Sequence, residues 1–294
     1  MLTTLFTICL VVFIYMHVMH QLKTSNDLEI FEIDAVDKPS LEEACCLRQP
    51  LLLDYWLDDL ARCTPAQFTY GAFDVNVVDA SGESVPVPLD KARALFAKST
   101  HYTERNDDFL KETMLHRILE KNDGMFRPPM IAAIRYDIIF GAVGACTKLR
   151  YSDWYRNYFL VADGTLKLKL SPPRNAKYLS TQKDYLKHDY YSSFSAWGSD
   201  ELARVKFLEL DVRKGQLVHI PAYWWYSFKL GKDACVLGFQ YRTWMNAAAT
   251  LPDTALGMLQ RHNTTLVTLK HVITPTLGAL NSGGTCSATT TEVV

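Results

Sequence analysis

Apolar and polar positions follow different rhythms along this chain, and each rhythm predicts a different kind of element. The first twenty-two residues, MLTTLFTICLVVFIYMHVMHQL, contain no Asp, Glu, Lys or Arg. At about 1.5 Å rise per residue, Leu2 to Met19 is long enough to cross most of a hydrocarbon layer about 30 Å thick. The run lacks the basic start and the small-residue cleavage site of a secretion signal, so the pattern predicts an uncleaved single-pass anchor over residues 1–22. His17 and His20 fall near its interfacial end, and Lys23 alone gives only a weak orientation signal.

Past the polar KTSNDLE the rhythm changes. LEIFEI from Leu28 and LLLDYW from Leu51 read as strands, and SLEEACCLR from Ser40 as a short helix with a serine cap and a glutamate three residues on. Phe73, Val75 and Val77 fall on one face of a half-buried strand that ends in the turn-rich ASGE. LDKARALFA from Leu89 predicts a short helix. NDDFLKETMLHRILEKN predicts a longer one, with an apolar stripe of Phe109, Leu110, Met114 and Ile118 and acidic residues at its start.

From Pro128 the pattern turns to short strands separated by Gly, Pro and charged turns: MIAAIRYDIIF, NYFLVADGTLKLKL, VKFLELDV, QLVHIPAYWWYSFKL and ACVLGFQYRTWM. KYLSTQKDYLKHDYYSSF is a loop-rich excursion between the second and third. TLPDTALGMLQRH predicts a helix capped by Thr250 with Pro252 in its first turn, and residues 281–294 predict a flexible tail. The organisation that follows is an anchor over 1–22, a folded domain over 28–270 with its strand-rich core at about 128–246, and that tail.

Composition narrows the picture. The chain has 294 residues, 48 % of them apolar and 21 % charged, and 31 Lys+Arg against 32 Asp+Glu leave a net charge of −1. That excludes a disordered chain and a field-driven nucleic-acid binder. An aromatic fraction of 12 %, much of it in alternating runs, favours sheet. Seven cysteines without a C-x-x-C pair describe no disulfide framework. RPPMIAAIRYD and RNYF place Arg127, Arg135 and Arg156 on what reads as a solvated face.

TKLRYSDWYRNYFLVADGTLKLKLSPP (Thr147 to Pro173) followed by KGQLVHIPAYWWYSF (Lys214 to Phe228) resembles, in order, two signatures of the cupin-like Jumonji-C family of double-stranded β-helix proteins. It is similar in particular to degenerate members encoded by large DNA viruses. The resemblance implies a mainly β, jelly-roll barrel with flanking helices. It also implies an iron(II) and 2-oxoglutarate site in the active members. The positions of that site are occupied here by Arg150 and Ser152, where the family has a histidine and a carboxylate, by Tyr226 in place of the late histidine, and by Leu166 in place of the cosubstrate lysine. A shifted count would place Asp153 at the carboxylate position and Tyr151 at the histidine. Thr147 and Asn157 are the supporting positions.

A non-haem iron site needs two neutral imidazoles and a carboxylate. Arg150 has no lone pair to donate and carries a permanent positive charge. The resemblance therefore implies a membrane-anchored, catalytically inactive cupin-like domain with a structural or partner-binding role, with no metal and no cofactor. The alternative is an oxygenase or other metal enzyme built on Asp153 with unusual ligands. An arginine at the former metal position suits a buried ion pair, with Asp153 or Tyr226, or a small organic anion such as a carboxylate or phosphate. The partners expected are thus the lipid bilayer and either a protein or such an anion, with no nucleic acid. The location expected is a single-pass membrane protein, in a host or virion membrane if the chain is viral. His219, seven residues before Tyr226, points to the opposite face of its strand and reads as a packing histidine.

Overall fold

A computed structural model describes residues 2–263 apart from 34–36, 80–81, 186–187, 199–201 and 203. Two sheets organise the body. The larger has nine strands in the order β1 (Phe31–Ile33), β2 (Leu51–Asp54), β13 (Gln216–Pro221), β8 (Arg156–Asp163), β15 (Cys235–Thr243), β6 (Ile131–Gly141), β5 (Tyr102–Thr103), β3 (Asp74–Val78) and β4 (Ser84–Pro88). The smaller has six, in the order β10 (Thr181–Asp184), β11 (Asp189–Ser192), β7 (Arg150–Tyr151), β14 (Trp225–Leu230), β9 (Thr165–Ser171) and β12 (Leu208–Arg213).

Period-two alternation sends each central strand's side chains into two different cores. On one face of the larger sheet, Phe159, Val161, Val218, Ile220 and Val236 meet Leu166, Leu168, Leu170, Phe228 and Leu230 of the smaller sheet. On its other face, Tyr158, Leu160, Leu217, Leu237, Phe239 and Tyr241 pack against helices. These are α2 (Lys38–Cys46), α3 (Leu89–Phe96), α4 (Asp107–Glu112) and α5 (Leu115–Asn122), which contribute Leu41, Ala92, Phe109 and Leu119 to this core. Leu149, Trp225, Leu179 and Val205 form a third, smaller cluster on the outer side of the smaller sheet.

The closed cupin-like jelly roll is corrected here. Both sheets are open and, among the described residues, no strand pair joins one to the other; β1, β4, β10 and β12 are their edge strands. Helix and strand occupy the described chain in about equal parts, so the fold is mixed α/β and not mainly β. Two additions that alternation alone does not announce open out the larger sheet. The parallel pair Phe31↔Leu51 to Ile33↔Leu53 extends one edge, and β5, β3 and β4 extend the other. Pro86 and Pro88 in the outermost strand remove ladder donors and so discourage a further strand from adding.

Local chemistry explains other departures. The helix expected from Ser40 starts at Lys38, because Asp37 caps it: its Oδ1 accepts from the Ser40 backbone N–H at 3.0 Å. The long helix expected over 106–122 is two, broken at Met114, whose φ is +60°. The excursion after Pro173 contains the β10–β11 hairpin, paired from Thr181↔Ser192 to Asp184↔Asp189. The expected tail over 281–294 lies outside the described residues.

At the N-terminus, α1 (Leu2–Leu22) is long and apolar enough to cross a membrane by length and composition, and none of its residues is buried. It packs against α6 (Trp244–Ala249), which runs directly into α7 (Leu251–Asn263).

Candidate functional site

The two stretches that carry the family resemblance lie side by side. Tyr226 of β14 is the register partner of Arg150 of β7, and Leu166 of β9 pairs with Leu230 of β14 and Val212 of β12. Between the sheets, next to Arg150 and Tyr226, is a cavity of about 50 Å³. Its wall on the larger sheet follows from strand periodicity: Arg135, Asp137 and Ile139 share one face of β6, opposite Gln240 and Gly238 of β15. Gly238 contributes no side chain, and a Cβ there would meet Asp137 and Phe159 at 3.4 and 3.6 Å. Arg150, Tyr151 and Ser152 supply the facing wall, and Trp154, Arg105, His188 and Asp189 close the sides.

Charge pairing accounts for most of this lining. Arg150 forms an ion pair with Glu104, both side chains 11 % exposed, and its guanidinium lies 5.9 Å from the centre of the Tyr226 ring. Burial opposes the Arg150 charge, but Glu104 more than offsets it and the pKa is raised. Arg105 pairs with Asp189 at 2.7 Å and Arg242 with Asp153 at 2.7 Å. Asp137 is fully occupied by backbone donors, from Arg105 at 2.8 Å, Asn106 at 2.9 Å and Ile138 at 2.8 Å. It thereby pins the 104–106 segment, which carries Glu104, against β6. Burial raises the Asp137 pKa, and those N–H groups work against the rise.

Arg135 is the exception. Among the described residues it has no ion pair, and its guanidinium rests on the Trp154 ring, 4.7 Å from the centre, while Arg242 lies 5.0 Å from the same ring. Burial first, then Arg105, lowers its pKa. Unmatched buried atoms gather here: Arg150 Nε and Trp154 Nε1 on the cavity lining, and Arg242 Nε and the acceptor Asp153 Oδ1 beyond it, have no hydrogen-bond partner among the described residues. His188 Nδ1 is likewise without a hydrogen bond; it lies 3.5 Å from Asp153 Oδ2. Such unmatched buried groups are rare in folded proteins, and the donor nitrogens on the lining call for an acceptor.

The expected site residues separate into two groups. Arg150, Ser152 and Tyr226 line the cavity, and Asp153 adjoins it, held by Arg242 and not paired to Arg150 as one expectation had it. Ser152 Oγ accepts from the Trp154 N–H at 3.2 Å. Leu166 is in the apolar core between the sheets. Thr147 bonds the Phe228 N–H at 2.8 Å through Oγ1. Asn157 donates to the carbonyls of Trp154 and Ile220 and accepts from Gln240. These three hold the scaffold.

Sequence reasoning missed Arg135, Glu104, Arg105, His188 and Asp189. It also assigned Arg127, Arg135 and Arg156 to a solvated face. Instead Arg156 is buried against the Tyr158 hydroxyl at 3.3 Å, Arg127 holds the buried Asp123 at 2.6 Å, and Arg135 lines the cavity. A signal was present for Arg135: Arg135 and Asp137 alternate with apolar residues in a strand whose neighbours are buried on both faces.

The fold and site thus define a mixed α/β protein of two open, face-to-face sheets enclosing a small, arginine-rich cavity. No protein-family model and no curated protein matches the chain. With no closed barrel to host it, the reading as an inactive cupin-like domain falls, and the resemblance to viral Jumonji-C-like members falls with it. The oxygenase alternative falls on donor chemistry. Among the described residues no three His, Cys, Asp or Glu side chains are grouped to hold a metal ion.

Proposed function

We propose that this chain is a membrane-tethered binding protein whose inter-sheet cavity receives one small anionic group, a carboxylate or a phosphate, without metal chemistry or turnover. The observation that carries the reading is Arg135, without an ion pair among the described residues, beside two donor-only atoms, Arg150 Nε and Trp154 Nε1, on the lining of a space of about 50 Å³. That space suits a few waters or one such group. An anion offers acceptors and no competing donors, and it would give the Arg135 guanidinium the ion pair it lacks among the described residues. The tether is α1, with the body held on one side of a single-pass anchor. Its support is the uncharged run of 21 residues, none of them fully buried.

A thermal-shift series on full-length protein in detergent tests this, with formate, acetate, malonate and phosphate compared against chloride at constant ionic strength. A ligand at a hundred times its dissociation constant stabilises by about 2.7 kcal/mol. The wild type should show a saturable rise in Tm with at least one of these anions, and Arg135→Met should abolish it. Equal shifts in both proteins, or no saturable shift with any of the four, would overturn the reading.

A further inference from the structure

The last described helix is built inside out. In α7, Leu251, Ala255, Met258 and Leu259 recur at the spacing of one helix face, and that face points to solvent: Leu251, Met258 and Leu259 are 61 %, 63 % and 60 % exposed. The polar positions Asp253, Thr254 and Gln260, with the buried Gly257, are turned towards the body. Asp253 lies near enough to Tyr151, Tyr190 and Tyr223 to oppose ionisation of their hydroxyls. A helix on a water-facing surface has the reverse arrangement, and an exposed apolar face of this kind needs a cover.

The place of the helix says what covers it. α7 continues from α6, and α6 is the element on which α1 packs. Trp244, at the start of α6, is 63 % exposed, and tryptophan is the side chain favoured where hydrocarbon meets water. α6, with its exposed Trp244, therefore links the exposed apolar face of α7 to α1, the one described helix long and apolar enough for a bilayer. We infer that α7 lies in the membrane interface beside α1, its Leu251–Leu259 face immersed at the acyl boundary of the same bilayer and its polar face supporting the sandwich above. This rests on the reading of α1 as an anchor.

Photo-crosslinking distinguishes the two. A benzophenone amino acid is placed singly at Met258, at Leu10 in α1, and at Lys232, in the turn at the opposite end of β15 from α6, in full-length protein reconstituted into phosphatidylcholine vesicles. Lipid adducts are expected at Met258 and Leu10 and lost at Lys232. An adduct at Leu10 with none at Met258 overturns this inference and leaves the anchor intact. An adduct at Met258 with none at Leu10 overturns the anchor and with it the placement of α7 beside an anchored α1, and no lipid adduct at either position overturns both. A protein dimer crosslinked through Met258 in place of lipid, or an internal crosslink to residues 264–294, would show that a second copy or the chain's own end covers the face, and also overturns the inference.

Discussion

Two side chains show how buried charge is handled in this molecule. Arg150 and Glu104 come from β7 and from the segment preceding α4, and each is the main reason the other is tolerated beneath the surface. Removing one partner should therefore cost far more than removing both. Arg150→Met is expected to destabilise by about 3–5 kcal/mol, because Glu104 stays behind unpaired, whereas Arg150→Met with Glu104→Met should recover most of that loss. Denaturant titrations of the single and double variants check this; a double variant no more stable than the single one would show that the pair is not the principal interaction. His219 presents the opposite problem. It is 1 % exposed against the Tyr158 ring, and neither ring nitrogen is within good hydrogen-bonding geometry of a partner among the described residues. Burial, then Arg156, pulls its pKa down to about 3, against a smaller opposing effect of the Gln49 backbone. Because the folded pKa lies below the unfolded value near 6.5, the unfolded chain binds the extra proton, so stability is complete above pH 6.5 and falls as the solution is acidified. The loss from this one group should reach about 2 kcal/mol by pH 5. Stability measured at pH 7.5 and pH 5 should differ by about that much less in His219→Phe than in the wild type, and equal differences would place the acid sensitivity elsewhere.

At the scale of elements, the chain's local code is read easily and its long-range code is not. Helices over Leu89–Phe96 and Leu251–Asn263 and the strands after Pro128 are visible because each needs only a periodicity and a stop signal. The split at Met114 is not, since no glycine or proline marks it; a methionine adopts the left-handed conformation there because Phe109 and Leu110 on one side and Leu115 and Leu119 on the other must all reach the same core. Open sheets and a closed barrel share the same alternation, and what separates them is which edges pair. The parallel β1–β2 pair joins segments twenty residues apart, and no local pattern specifies it. The site follows the same rule. Arg150, Ser152 and Tyr226 are legible because adjacent strands carry them. Glu104, Arg105 and His188 arrive on connecting segments, and Asp189 at the start of the β11 hairpin strand, whose positions depend on anchors elsewhere, such as Asp137 holding the backbone of 105 and 106.

On the scale of the whole molecule, the relation of α1 to the body is set by one guanidinium. Arg48 Nη1 donates to the carbonyls of Gln21 at 3.0 Å and Lys23 at 2.7 Å, and Nη2 meets His20 Nδ1 at 3.2 Å. Carbonyls at a helix C-terminus have no partners within the helix, and a cation there satisfies them and complements the helix dipole. Gln49 extends the clamp to Ser25 at 3.2 Å and Asp27 at 3.3 Å, so the stretch after α1 is stapled to the turn after α2 instead of swinging as a free linker. Such a clamp would also hold α6 and α7 at a fixed height relative to the anchor. Arg48→Met should leave α1 in the bilayer, because its apolar length is untouched, and should free the connection. Charge-assisted hydrogen bonds contribute about 1.5–3 kcal/mol each, so losing this pair should raise the open population of residues 21–27 at least about tenfold. Trypsin cleavage after Lys23 in reconstituted vesicles reads that population, with retention of α1 in the carbonate-washed membrane pellet as the control. Faster cleavage with retention is the expected result. Unchanged cleavage would show that the packing of α1 on α6, and not Arg48, fixes the anchor to the body.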